Sequence, residues 1–308
     1  MFSAFKKERP TLQLYGKLPL AKDYLRVGAG KGNGQVLRDW MDQAYSTNAD
    51  RGELPAFPWP VRFLIGIPGA DPIQGVGWSS TDAGGHRPFP FAIFVERKKK
   101  ALLAECRAGF ESNAPVWTEL EEKRGIIENV DNGEEFLVRM RGREIEIDLT
   151  PRPDPALDLG AWTSALWPEE GQNGLVNVLS DVARETTGSV RSPIRLPLAT
   201  GMPAEPQVHA WWRALVALKA LGDDVPTVFF PAGQPTGDEP SHVTFFRQAM
   251  RPGDAHWVSS SRRHHGLGPT DHGPAQPLQA EGNVTRSESA STLADSMKGA
   301  LATARARS

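Results

Sequence analysis

The segment Val61-Arg62-Phe63-Leu64-Ile65-Gly66-Ile67 is apolar at every position except Arg62 and Gly66, and it follows Phe57-Pro58-Trp59-Pro60. The two prolines end any helix and hold the backbone extended on entry. A strand without polar alternation has no face to give to water, so it must be covered on both sides. That requirement admits few architectures. Other strand signals are Leu12-Gln13-Leu14-Tyr15, closed by Gly16-Lys17-Leu18-Pro19, then Gly75–Ser79, Phe89–Val95, Val225–Phe230 and His242–Phe246. Helical stripes lie between them. Val36, Leu37, Trp40, Met41, Ala44 and Tyr45 repeat at one face of a helix with Asn33 as its cap, and 101–130 is helical in two pieces split near Asn113-Ala114-Pro115. Ala161–Trp167, Leu175–Thr186 and Val208–Leu221 are helical as well. Strands interleaved with helices predict an α/β fold, a three-layer α/β/α sandwich with a mixed sheet.

Asp131-Asn132-Gly133 reads as a turn ahead of a hairpin made by 135–139 and 144–148, joined across Arg141-Gly142 with one wet face. Pro151-Arg152-Pro153-Asp154-Pro155 is a stiff connector. The expected organisation is therefore a folded α/β domain over 9–258, with a sub-boundary near 151–155, and a mostly disordered tail over 259–308. In that tail Ser, Gly, Pro, Gln and His displace large apolar residues, leaving a weak amphipathic stripe at Leu293, Met297 and Leu301.

Composition excludes several classes of function. Lys+Arg 35 against Asp+Glu 37 gives a formal charge of -2, without the basic excess of a dedicated nucleic-acid binder. The single cysteine, Cys106, permits no internal disulfide and reads as an inert buried residue. No run approaches the ~18 apolar residues that span a bilayer. The basic start Met1–Pro10 leads into no signal-peptide stretch. A reducing, cytoplasmic address is the expectation, with no direct membrane insertion.

Several motifs invite chemistry. The glycines of Gly28–Gly34 precede a helix, where backbone N–H groups bind anions. The spacing fits neither a P-loop nor a dinucleotide fingerprint, so the segment reads as a flexible connection. Ser80, Asp82 and His86 lie close together in 79–90 but lack a nucleophile elbow. The plainer reading has Asp82 accepting loop N–H bonds and Arg87 pairing with a carboxylate. His256, His264, His265 and His272 lack the preformed geometry of a metal site. Arg97-Lys98-Lys99-Lys100 reads as a solvated junction, with a modest site for an acidic partner as the alternative. Trp211-Trp212 in a helix puts one indole on the core, while the other, about 100° round the axis, stays partly exposed. No motif calls for a catalytic pair, a cofactor or a metal.

Two loops taken together carry a resemblance. Tyr15-Gly16-Lys17-Leu18-Pro19 with Asp23-Tyr24, a helix carrying Leu37 and Trp40, Pro60-Val61-Arg62-Phe63, Gly77-Trp78, and Ser80, Asp82, Gly85, Phe89 and Pro90 at their spacings resemble the TagF family of type VI secretion-associated regulators. The match covers residues 12–95, with a looser echo at Trp211-Trp212-Arg213. The chain carries Lys22 where the family has Gly, Tyr24 where it has Phe, and Arg87 one place along from the family's Arg. The resemblance implies a cytoplasmic α/β sandwich without known catalysis, a stand-alone regulator that restrains the secretion apparatus after translation. It also implies a protein partner, a scaffold bearing a forkhead-associated domain. Gly16, Lys17, Pro19, Asp23, Tyr24, Trp40, Trp78, Ser80, Asp82, Gly85, Arg87, Phe89 and Pro90 are the motif and interaction residues. Two other readings use the same residues or surface. One is a small-ligand sensor or hydrolase, with Asp23 or Asp82 as acid/base and Lys17 or Arg87 as anion clamp. The other is a structural subunit assembling through exposed Trp and the tail.

Overall fold

A computed structural model of the chain describes residues 7–30, 32–49, 60–148, 157–187, 193–232, 241–251, 299 and 302. In chain order the elements are β1 (Lys7–Glu8), β2 (Leu12–Gly16), β3 (Leu25–Val27), α1 (Gly34–Ala49), β4 (Val61–Ile65), β5 (Ile73–Trp78) and β6 (Phe91–Glu96). They continue with α2 (Lys99–Ala108), α3 (Ala114–Glu122), α4 (Gly133–Met140), β7 (Ile147–Asp148), α5 (Leu159–Leu166) and α6 (Gln172–Thr187). The last are β8 (Ile194–Leu198), α7 (Ala204–Ala217), β9 (Thr227–Pro231) and β10 (Ser241–Phe246).

β4 lies inside an 8-stranded sheet of order β3-β2-β6-β5-β4-β9-β10-β8. Every residue of β4 is buried. Its alternation feeds two cores. Val61, Phe63 and Ile65 join a cluster with Leu37, Trp40 and Met41 of α1, whereas Leu64 joins Trp117, Phe136, Trp162 and Leu179 on the other face. The period of two along a strand thus places α1 on one side of the sheet and the remaining helices on the other, the layered α/β arrangement that the apolar run demanded. The paired strands run antiparallel, and the parallel component is a single bridge between Leu14 and Gly28. Strands from both sides of residue 151 meet where β4 pairs with β9. The connector 151–155, the tail from 259 apart from Gly299 and Ala302, the stripe within it, and His256, His264, His265 and His272 lie outside the described residues, as do 57–59.

The hairpin expected over 135–148 is not formed. Residues 133–140 are helix α4, and only Ile147–Asp148 is a strand, paired with Lys7–Glu8. Asn132 decides the outcome. Its side chain accepts from the Glu135 N–H, and the Glu135 carboxylate accepts in return from the Asp131 N–H. Such reciprocal capping stabilises a helix start by about 1 kcal/mol. Phe136 and Met140, four residues apart, then fall on the buried face.

Two further expectations change. Trp211 and Trp212 are both buried, because α7 is covered on two sides: Trp211 packs on Trp162 and Trp167, and Trp212 on Phe110. The basic run is a solvated junction only in part, with Lys98 and Lys100 exposed. Arg97 is fully buried, and the next two cations are paired, Lys98 with Asp71 and Lys99 with Asp224. Cys106 is buried and unbridged, as expected.

Candidate functional site

β2 ends at Gly16 in a backbone conformation, φ 136°, that side chains with a Cβ rarely adopt. There the strand passes against Phe91 of β6 and turns out through Lys17-Leu18-Pro19, with Leu18 buried and its carbonyl accepting from the Ala21 N–H at 3.1 Å. The Leu20 carbonyl accepts from the Gly133 N–H, so the start of α4 holds this loop from outside. The chain returns as β3, placing Tyr24 in a parallel stack on Tyr15 with ring centroids 5.6 Å apart and edge-on to Phe89 at 4.8 Å.

The second loop closes on itself and on the first. The Phe89 N–H donates to the Ser80 carbonyl and the Gly85 N–H to that of Asp82, both at 2.9 Å. Gly85 supplies the positive φ of that turn, 68°. The Ala83 N–H donates to the Ala21 carbonyl at 2.9 Å, stitching the loops together. Asp82, 3% exposed, accepts from the His86 N–H at 3.2 Å and from the Arg87 guanidinium, whose other arm donates to the Lys22 carbonyl at 2.5 Å. Asp82 and Arg87 thus clamp one loop to the other.

Electrostatics follow from that packing. Hydrogen bonding from Arg87 holds the Asp82 carboxyl below the usual carboxylate range, and the same pairing raises Arg87. Stability from the pair is present above the ordinary Asp value of about 3.9 and is lost as pH falls through the lower folded value. Arg87→Ala is expected to move the Asp82 titration up towards that ordinary value, followed by carboxyl carbon NMR. An unmoved titration would show that Arg87 does not hold the carboxylate. Burial, then the neighbouring Arg87 charge, lowers Lys17, while Asp82 and Asp23 act in the opposite sense.

Of the thirteen motif residues, those in 16–24 and 80–90 come together. Lys17 and Asp82 are buried, Asp23 and Arg87 exposed. Trp40 and Trp78 stand apart as core residues on opposite faces of the sheet. Trp40 donates to the Arg251 carbonyl at 3.0 Å, and Trp78 packs on Phe91. Beside the loops an open cleft lies between Asp23, Tyr24 and Arg26 of the hairpin, Arg38 and Asp42 of α1, and Leu137 of α4. The Tyr15 hydroxyl donates to Asp42 at its floor, and burial raises both groups. Arg26, Arg38 and Asp42 escaped the sequence reading. The only signal was the four-residue spacing of Arg38 and Asp42, which puts both on one face of α1.

The glycine-rich segment is no anion site. The Glu96 carboxylate already accepts from the Gly34 N–H at 3.2 Å, and from Gln13 at 2.8 Å, so the positive end of α1 has its negative partner. Asn33 turns its amide to the Asp71 carbonyl. Among the described residues, no three of His, Cys, Asp and Glu gather as metal ligands, and no helix is long and apolar enough to cross a membrane.

No family model matches the chain, and no curated protein matches it. A solved structure, that of PA0076 from Pseudomonas aeruginosa PAO1, is similar at 15% identity with a TM-score of 0.35, over 89% of this chain and 100% of its own.

Proposed function

We propose that the chain is a non-enzymatic regulator, a repressor of type VI secretion that acts by binding a cytoplasmic component of the apparatus, a scaffold with a forkhead-associated domain. The observation that carries this reading is the use made of Asp82. A general acid or base needs a carboxyl within reach of substrate, and Asp82 is buried with its oxygens engaged by the His86 N–H and by Arg87. Asp82 and Arg87, two of the four charges of the motif, hold two loops in place, and what the loops present outward includes the half-exposed Tyr24 ring. The resemblance of 12–95 to the TagF family supplies the process.

The rival reading, a small-ligand sensor or hydrolase, draws on the open cleft and on Lys17. It needs Asp23 to act without Asp82.

Deleting the gene in cells that express the apparatus is expected to raise secretion, and the tagged protein is expected to co-purify with the forkhead-associated scaffold. Unchanged secretion in the deletion strain would remove the proposal.

A further inference from the structure

Lys17 is 3% exposed, yet among the described residues its ammonium has no hydrogen-bond or ion-pair partner; it lies over the Tyr24 ring, 4.8 Å from the centroid. A buried charge is costly unless it is hydrogen-bonded and paired, and the ring supplies only a weak substitute for an anion. The ammonium is not among the polar atoms sealed from solvent without a partner. The charged tip is therefore the part of Lys17 that another molecule can reach.

The strand register extends the feature. β2 and β3 pair Tyr15 with Arg26 and Gly16 with Leu25, and just beyond that ladder the Lys17 ammonium lies over the Tyr24 ring. Residues two apart on a strand share a face, which puts Lys17, Tyr24 and Arg26 on one strip at the edge of the sheet. Tyr24 is 43% exposed. Arg26 is exposed, and among the described residues its guanidinium has no hydrogen-bond or ion-pair partner, while the neighbouring acids are engaged, Asp42 by Tyr15 and Asp39 by Arg38. The strip reads as cation, half-open aromatic ring, cation. Tyrosine and arginine in this setting are the residue types that dominate binding at protein interfaces.

We propose that this strip receives an extended acidic segment of a protein partner, with one carboxylate on the Lys17 ammonium, a second on the Arg26 guanidinium and the Tyr24 ring between them. Tyr24, which leads into β3, and Arg26 within it are two residues apart along extended chain, a rise of about 7 Å, so the fitting segment carries Asp or Glu at alternate positions. Asp23 is exposed and lies close enough for its charge to act on Lys17. The inference rests on the protein-binding reading above and not on the identity of the partner.

The test is photo-cross-linking from p-benzoylphenylalanine at position 24, in cells expressing the secretion apparatus, with the captured peptide mapped by mass spectrometry. The expected capture is a peptide with alternate acidic residues. Adding Lys17→Met or Arg26→Gln is expected to lower its yield about tenfold, as the loss of one charge-assisted hydrogen bond implies. Lys17→Met is also expected to keep or raise the thermal midpoint, because a thioether replaces an ammonium that has no anionic partner among the described residues. An acidic peptide from a protein outside the secretion apparatus would refute the regulator reading and still support the strip. A captured peptide without acidic residues, equal yields in the folded variants, or no capture from position 24 would overturn the strip.

Discussion

Arg97→Ala is expected to lower the unfolding free energy by about 3–5 kcal/mol, the cost typical of removing one member of a buried charge network. The Arg97 side chain is fully enclosed. Its guanidinium donates to Glu8 at 2.8 Å, to Glu105 at 2.8 Å and to the Gln74 side-chain oxygen at 2.6 Å. Glu105 is 2% exposed, and burial raises its carboxyl against the opposing pull of Arg97. Without the guanidinium, an ionised Glu105 would have no cation beside it. Glu8 would lose one of the two bonds that tie its carboxylate to the body, keeping the Lys98 N–H at 2.7 Å. An acid whose folded pKa is raised contributes more stability when protonated, and that contribution falls as pH rises from the unfolded value to the folded one. The deficit of the variant should therefore shrink on acidification from neutral pH towards the ordinary Glu value of about 4.3. Urea unfolding at two pH values measures both effects. The pair Arg97→Met with Glu105→Leu should recover much of the loss, since an apolar replacement leaves no orphaned charge. Wild-type unfolding of Arg97→Ala at neutral pH would mean that the network adds no stability.

Arg97 also shows where reading the sequence stops. A run of four cations announces charge but not depth, and depth is set by where β6 ends against α2. The buried strand β4 was legible because its pattern admitted one physical solution. Residues 135–139 were not, because Glu-Phe-Leu-Val-Arg over five positions satisfies a strand and a helix alike, and the deciding capping bonds of Asn132 lie just outside that window. β3, with three residues, is too short to carry a pattern at all, and it is the strand that brings Tyr24 and Arg26 into place. The two Pro- and Gly-shaped loops were found from sequence, and the structure joins them through Ala83, Arg87 and the carbonyls of Ala21 and Lys22. Asp42 and Arg38 reach the same place from α1, through the packing of Leu37 and Met41 on the sheet, which no local pattern encodes.

Gly16→Ala is expected to be the more damaging of two glycine substitutions in those loops. A Cβ at position 16 would lie 2.2 Å from the Pro90 carbonyl oxygen and 2.7 Å from the Phe91 Cα, and its φ of 136° is unfavourable for any side chain. Both clashing atoms are backbone, so no rotamer change relieves them. Either β2 moves away from β6 or the 80–90 loop gives up its turn. A strained backbone alone costs about 1–3 kcal/mol, and forced overlap in a packed interior typically adds a further ~1–3 kcal/mol. Gly85→Ala is the control. Its φ of 68° is also left-handed, but nothing lies within 4 Å of the added carbon, so it should lose only the conformational part, about 1–2 kcal/mol. The difference between the two isolates the close approach of the strands. Because Lys17 follows Gly16, and Tyr24 stacks on Tyr15 just before it, the variant should also displace the ring from Phe89 and weaken binding at the strip, whereas Gly85→Ala should leave it near wild type. Denaturant midpoints compare the stabilities, and the cross-link yield from position 24 compares the surfaces. Equal destabilisation by the two substitutions would show that contact with Pro90 and Phe91 is not what requires glycine at the end of β2.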